Sequence, residues 1–215
     1  LQDANIVVFN EASVIEGNDN NLALQLNPNS TISSIDQDFS TSAYIGITAG
    51  VDVSGEFRGL LSDDDLVAQH IDQISDLTEK LSADGVYLSY LHIDEDNEIQ
   101  FTNFVKKLSK NLAEKNRGLV VGVPLPSTTD TGAYNWMELV ELTDSLWIEV
   151  PQNPAVFYEQ LESLFESEQA KGIDLQSISL IIDRSSYHKE QTEIKRIDRY
   201  QALGLATTLK VNVGE

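Results

Sequence analysis

Two acidic residues, Glu149 and Asp183, lie near the carboxyl ends of two hydrophobic runs that the sequence predicts to be β-strands. In a β/α barrel, the carboxyl ends of the strands form the face that carries ligands and reacting groups. Carboxylates in that position could transfer protons, bind a ligand, or accept hydrogen bonds from backbone amides and polar groups at the barrel mouth. The residue types alone leave these alternatives open.

Other side chains that could react or bind a metal are absent or dispersed along the chain. Cysteine is absent, which excludes disulfides, thiolate nucleophiles and thiolate metal sites. The histidines show no metal-ligand spacing, and they are His70, His92 and His188. The run His92–Asp96 is interpreted as a solvated acidic loop, because an EF-hand would need Gly and a bidentate acid where Ile99 and Val105 stand. We therefore expect no metal and no cofactor.

Charge and length restrict the class of protein further. The 215 residues include 35 acidic and 14 basic side chains, for a net charge of −21. Such a charge repels phosphate backbones and anionic lipids, so we expect neither nucleic-acid binding nor membrane insertion. One domain over residues 1–215 is expected, and the acidic, cysteine-free composition favours an extracellular, cell-surface or periplasmic location.

Strand patterns alternate with amphipathic stretches, which is typical of an α/β fold with a parallel sheet. The predicted strands are Asn5–Phe9, Leu22–Leu26, Tyr44–Thr48, Val86–Leu91, Leu119–Val123, Leu146–Val150, Ile178–Asp183 and Thr207–Val213. One predicted helix begins at Ser62, whose hydroxyl would cap it; the others span about Glu98–Asn116, Tyr134–Leu142, Pro154–Lys171 and Lys189–Leu203. The expected fold is a compact (β/α)8 barrel of the TIM type. It is either regular or, because Glu11–Ser40 shows no helical pattern and a crossover helix is missing there, distorted or incomplete.

A family resemblance is carried by the segment from Leu61 to Pro126. It contains a helix, the strand Ala83–Leu91, the helix start Phe101–Leu108 and an apolar strand ending at Pro124. This order resembles the family 18 glycoside hydrolases, the chitinase-like and spore-germination enzymes, in which a D-G-x-D-x-D-x-E strand precedes an aromatic-T-x-F helix. The similarity continues to about Val150, and a thinner match reaches Tyr187. It implies that Val86–Leu91, Leu119–Val123 and Leu146–Val150 are adjacent parallel strands in that order.

The chain departs from the family motif at its catalytic positions. Asp84 and Gly85 are kept, which we attribute to a backbone role, whereas Tyr87 and Ser89 replace the two aspartates and Leu91 replaces the glutamate. In the family, that glutamate protonates the leaving oxygen while the neighbouring aspartate orients the attacking N-acetyl group of the substrate. Leucine does neither, so the resemblance implies a degenerate motif with no catalytic residue.

The wall of the site formed by the sixth strand also departs from the family. The segment Glu149–Gln152 stands where a Met-x-Tyr-Asp type ending holds the acetamido group. Trp147 is expected in the core. The candidate ligand-binding residues are Tyr87, Ser89, Glu149, Asp183 and Tyr187.

Three functions compete on this basis. The first is a catalytically inactive domain that binds a glycan, such as an N-acetylglucosamine polymer, or a protein at the barrel mouth. The second is an active glycosidase using Glu149 and Asp183, which requires carboxyl groups roughly 5 to 9.5 Å apart. The third is an interaction domain of a surface assembly. The missing acid favours the first and third, and makes an enzyme the weaker prediction.

Overall fold

The computed structural model describes residues 6–16, 22–26, 42–49, 54–91, 93–125, 133–149, 162, 172–181, 186–190 and 193–197. The strands within these ranges are β1 (Ile6–Glu16), β2 (Leu22–Leu26), β3 (Ser42–Ala49), β4 (Gly85–Tyr90), β5 (Gly118–Pro124), β6 (Ser145–Glu149), β7 (Ile178–Ile181), β8 (Ser186–Glu190) and β9 (Glu193–Ile197). The helices are α1 (Ser54–Leu61), α2 (Asp64–Lys80), α3 (Glu98–Glu114) and α4 (Trp136–Leu142). No helix in the described ranges is long and apolar enough to cross a membrane.

The main sheet has seven strands in the order β2-β1-β3-β4-β5-β6-β7. All neighbours from β1 through β3 to β7 are parallel, so the predicted adjacency of β4, β5 and β6 is confirmed. Within the described residues the sheet is not closed, since β2 and β7 stand at its edges. The predicted α/β fold with a parallel sheet is therefore confirmed, and the described sheet is compatible with a distorted or incomplete barrel.

The region predicted to lack a crossover helix contains an antiparallel pair. Strand β2 runs antiparallel to the second half of β1, with Ala12 opposite Leu26 and Glu16 opposite Leu22. An antiparallel neighbour needs only a short connection, whereas a parallel one needs a crossover. Leu22–Leu26 is thus a strand, as predicted, but it is the edge strand rather than the second parallel strand.

Helices α2, α3 and α4 cover one face of the sheet, which we call the outer face. Each helix buries one apolar stripe against outward side chains of β3 to β6, and the stripes contribute Ile71, Ile74, Phe101, Phe104, Val105, Leu108, Trp136 and Leu139. Burying a side chain of this size contributes about 1.5 to 3 kcal/mol relative to leaving it exposed. The hydrophobic layer therefore fixes the sheet, and the opposite or inner face is left for other roles.

The start of α2 differs from the prediction by one residue. Its N-cap is Asp63, whose Oδ1 accepts hydrogen bonds from the amides of Asp65 (2.9 Å) and Leu66 (3.2 Å). Ser62 instead donates its hydroxyl to the Arg58 carbonyl (2.6 Å), at the end of α1, a helix that the sequence pattern did not predict. Asp and Ser are comparable N-caps, so position relative to the preceding helix decides between them.

The predicted helix at about Lys189–Leu203 is wrong. Strands β8 and β9 occupy its first half and pair antiparallel, with Ser186 opposite Ile197 and Glu190 opposite Glu193. The Lys, Glu and Arg residues there have good helix propensity, but pairing between strands overrides a preference of a few tenths of a kcal/mol per residue. The predicted strand Thr207–Val213, and the predicted helix Pro154–Lys171 except for the helical Glu162, lie outside the described residues.

Candidate functional site

The inner face of the sheet carries a second, smaller hydrophobic cluster. Tyr44, Tyr87 and Val120 are its buried members, and the partly buried Ile6, Val8, Trp147 and Ile181 pack against them. Successive residues of a strand point to opposite faces, so Tyr87 and Ser89 of β4 face inward while Val86, Leu88 and Tyr90 join the outer core. The inner face is therefore aromatic and apolar, with a few polar groups at its ends.

Three of the predicted site residues meet on this face near the carboxyl ends of the strands. The phenol of Tyr87 donates a hydrogen bond to Oε1 of Glu149 at 2.8 Å. The hydroxyl of Ser89 donates to the same oxygen at 2.6 Å. Tyr87 and Ser89 lie two residues apart on β4, and Glu149 ends β6, two strands away. We call these three residues the Glu149 cluster.

A glycine of the intervening strand makes this contact possible. Gly122 of β5 pairs with Ser89 on one side and Trp147 on the other. A Cβ atom at Gly122 would lie 2.5 Å from the hydroxyl oxygen of Tyr87. The missing side chain therefore lets the phenol cross β5 and reach Glu149. The role of Gly122 was not predicted from the sequence, although a glycine inside the run Leu119–Val123 indicates that another group approaches the backbone closely there.

The electrostatics of the cluster favour a neutral tyrosine. Burial, followed by the charge of Glu149 and the hydrogen bond to it, raises the pKa of Tyr87 far above its ordinary value of 10.0. Tyr87 is 6% exposed and Ser89 is 4% exposed. At neutral pH both residues therefore act as hydroxyl donors that hold the Glu149 side chain in place, and Tyr87 does not act as a base.

Position 91 follows β4 directly, and strand alternation places it on the same side as Tyr87 and Ser89. Leu91 is half-buried there and has no ionisable group. Of the inward positions 87, 89 and 91, none carries a carboxylate. Any acid–base role on this part of the inner face would have to come from Glu149 or from residues outside the described ranges.

The remaining sequence-predicted residues fall into separate places. Asp183 lies outside the described residues, and Tyr187 is described only through its backbone, which pairs with Arg196 in the β8–β9 hairpin. Trp147 is half-buried rather than fully in the core, and its ring lies 5.2 Å from that of Tyr87, centroid to centroid. The structure thus brings together Tyr87, Ser89 and Glu149, while the ligand-binding role of all five candidates stays a prediction.

The histidine and acidic positions lie away from the Glu149 cluster. His70 is buried behind the outer face, where its Nε2 lies 2.6 Å from the Tyr90 hydroxyl oxygen, and burial lowers its pKa to about 4. In the predicted acidic loop, Asp94 is exposed and pairs with Arg58 at 2.6 Å, while His92 lies outside the described residues. No group of three or more potential metal-ligating side chains occurs in the part of the chain that the structure describes.

The opposite end of the inner face confirms the backbone role expected for Asp84 and Gly85. Oδ2 of Asp84 accepts the Ala43 amide at 2.8 Å, joining the entry to β4 to β3. Oδ2 of Asp144 accepts the Leu119 amide at 2.8 Å and the Tyr44 hydroxyl at 3.4 Å, joining β6 to β5 and β3. A Cβ at Gly85 would lie 2.5 Å from the Tyr44 ring and 2.6 Å from the Gly118 carbonyl oxygen.

Comparison with known proteins identifies the fold. No protein-family model and no curated protein sequence matches the chain. Among solved structures, a protein described as a sporulation-specific glycosylase of Bacillus subtilis superposes with a TM-score of 0.79 at 15% identity, covering 99% of this chain and 76% of that one. The chain has the fold of chitinase-like enzymes.

Two further structures support the same conclusion. The spore cortex-lytic enzyme SleL of Bacillus megaterium superposes with a TM-score of 0.76 at 14% identity, and the match covers 94% of this chain but only 51% of that enzyme. A chitinase of Chromobacterium violaceum gives a TM-score of 0.74 at 15% identity, with 95% of this chain and 69% of the chitinase covered. The resemblance first seen between Leu61 and Val150 thus extends to the fold as a whole.

Proposed function

We propose that this chain is a single, catalytically inactive glycoside-hydrolase-like domain that binds a glycan or a protein partner at the barrel mouth. The observation that carries the proposal is the Glu149 cluster. Its carboxylate is held by two neutral hydroxyls, from Tyr87 (2.8 Å) and Ser89 (2.6 Å), at the two positions where the family motif has aspartates. A fixed acceptor next to an aromatic ring suits binding better than proton transfer.

The chemistry of the family explains why activity is not expected. A general acid contributes about 10²- to 10⁴-fold to the rate and must lie within hydrogen-bonding reach of the proton it transfers. Leu91 has no proton to give, and Ser89 has no carboxylate to orient an acetamido nucleophile. Both parts of the substrate-assisted step are therefore missing on β4.

A binding role is consistent with what remains of the inner face. Trp147 keeps part of its ring exposed beside Tyr87, and an aromatic face packs well against the apolar side of a sugar ring. The solved relatives include a spore cortex-lytic enzyme and a chitinase, which are named for action on glycans. We extend the same ligand class and an extracellular, cell-surface or periplasmic location to this chain.

The proposal is tested by incubating the purified chain with N-acetylglucosamine oligomers and measuring products by mass spectrometry. We expect no products above a protein-free blank and saturable binding of an oligomer in titration calorimetry. A Glu149→Gln, Asp183→Asn double variant serves as the control. Turnover in the native chain that disappears in this variant would contradict the proposal and support the active glycosidase. Absence of any oligosaccharide binding would leave the protein-binding role.

A further inference from the structure

We propose that the Glu149 cluster binds a cationic amino group, specifically the ammonium of a glucosamine unit in a deacetylated glycan. The inference rests on the proposed glycan-binding function and defines its ligand. It departs from the neutral N-acetyl sugar that the family resemblance implies, because the site wall carries a carboxylate in place of the residues that hold the acetamido group.

Glu149 has no cationic partner among the described residues. Glu149 is partly buried, and its only donors among the described residues are the hydroxyls of Tyr87 and Ser89, both on Oε1. No described Lys, Arg or His forms an ion pair with it, and no described residue donates to Oε2. A carboxylate withdrawn from water is stabilised by an opposite charge, so Oε2 is suited to an ammonium donor.

The charges of the chain also favour a cationic ligand. The four ion pairs among the described residues place Arg58, Lys107, Lys115 and Arg117 against other acids. The chain as a whole carries a net charge of −21. The resulting negative potential attracts cationic ligands and repels anionic ones, and it does so over distances of about 10 Å at moderate salt.

The position of Trp147 favours a sugar over a simple amine as the ligand. Trp147 precedes Glu149 by two residues on β6 and therefore lies on the same face, with its ring 5.2 Å from that of Tyr87. A cation above an aromatic face gains electrostatic attraction, and the C–H face of a sugar ring gains contact area. A glucosamine unit supplies both groups together, whereas a lysine side chain supplies only the cation and its flexible stem.

The experiment is titration calorimetry of the intact chain with glucosamine pentamer and with N-acetylglucosamine pentamer, at low and high salt. We expect the glucosamine pentamer to bind at least about tenfold more tightly, because a charge-assisted hydrogen bond replaces a neutral one. Added salt should weaken this binding. Glu149→Gln keeps the acceptor for Tyr87 and Ser89 but removes the charge, and it should abolish the preference.

The matched control is Glu138→Gln, which removes one charge at an exposed position of α4. It should leave both affinities unchanged, and thermal unfolding of both variants checks that they are folded. If Glu149→Gln and Glu138→Gln affect glucosamine binding equally, the attraction belongs to the overall charge and the inference is wrong.

Further outcomes separate this inference from the proposed function. Equal or tighter binding of the acetylated pentamer would overturn the inference while preserving glycan binding. Failure of both pentamers to bind would overturn the inference and the glycan-binding part of the proposed function, and would leave its protein-binding part. A trilysine peptide that binds through Glu149 as tightly as the glucosamine pentamer would assign the site to a protein cation instead.

Discussion

The two ends of the inner face carry the same pair of groups, a tyrosine hydroxyl directed at a carboxylate, but in different surroundings. At the amino-terminal ends of the strands, Tyr44 meets Asp144, whose Oδ2 also accepts the backbone amide of Leu119. At the carboxyl-terminal ends, Tyr87 meets Glu149, which accepts only side-chain hydroxyls among the described residues. The first carboxylate therefore bonds to the backbone of β5, whereas the second bonds to side chains of β4.

Gly85 and Gly122, one at each end of the inner face, differ in the atoms that an added side chain would contact. A side chain at Gly85 would meet the backbone carbonyl of Gly118, which cannot move aside without displacing a strand. The three atoms nearest to a side chain at Gly122 would all belong to the end of the Tyr87 side chain. Backbone contacts therefore constrain Gly85 at the amino-terminal end, whereas side-chain contacts constrain Gly122 at the carboxyl-terminal end, so we expect substitution of Gly122 to disturb the sheet less.

The largest effect should come from Gly85→Ala. Because the new Cβ would lie 2.6 Å from a carbonyl oxygen, we expect the free energy of unfolding to fall by about 3 kcal/mol and the melting temperature by roughly 6 to 12 °C. Gly59→Ala in α1 is the matched control, since its Cβ meets nothing within 4 Å and should be neutral or slightly stabilising. Equal melting temperatures for the two variants would remove the distinction between the ends.

The second largest effect should be a loss of stability at alkaline pH, through Tyr44 at the amino-terminal end. Burial, then the charge of Asp144, raises the pKa of Tyr44 from 10.0 to about 12. The folded state keeps the proton that the unfolded state loses, so this contribution is complete below pH 10 and disappears as the pH rises to about 12. We expect a loss of about 2 to 3 kcal/mol from this group.

Denaturant unfolding at a series of pH values measures how the free energy of unfolding changes with pH. Tyr44→Phe is the control. The variant should lose less stability than the native chain between the two pH limits, although Tyr87 and Tyr90 also have raised pKa values and will leave some slope. Identical slopes would mean that Tyr44 makes no such contribution.

Removing the two carboxylates compares the ends directly. Asp144→Ala leaves the Leu119 amide without its 2.8 Å acceptor, so the free energy of unfolding should fall by about 1 to 2 kcal/mol. Glu149→Gln keeps an acceptor for both hydroxyls and should cost less than about 0.5 kcal/mol. Urea denaturation gives both values. A larger loss for Glu149→Gln would reverse the assignment of structural and functional ends.

Gly122→Ala should change ligand affinity more than it changes stability. Its Cβ would displace the Tyr87 hydroxyl, which lies at the end of a rotatable side chain, at a cost of about 1 kcal/mol. Glycan affinity should nevertheless fall to the level of Tyr87→Phe, because both changes release Glu149 from the phenol. Titration calorimetry checks the equivalence, and full affinity in Gly122→Ala would show that the phenol does not position the carboxylate.

The sequence predicted the parallel order of β4, β5 and β6 and placed Tyr87, Ser89 and Glu149 on two of these strands, because strand periodicity and the position of strand ends are local properties. It did not predict that Tyr87 reaches Glu149 over Gly122, since this contact depends on register across three strands. It also failed at β8 and β9, where helix-favouring residues form a hairpin held by pairing rather than propensity. The pattern of residues along one segment does not reveal contacts that depend on neighbouring strands.

The most direct test of the central claim is the turnover of N-acetylglucosamine pentamer by the native chain and by Leu91→Glu, followed by mass spectrometry over long incubation. Neither should release products, because Tyr87 and Ser89 leave the new glutamate without the carboxylate partner that the family reaction needs. Release of shorter oligomers by Leu91→Glu alone would show that the rest of the site is still catalytic. Release by the native chain would contradict the inactive, ligand-binding account.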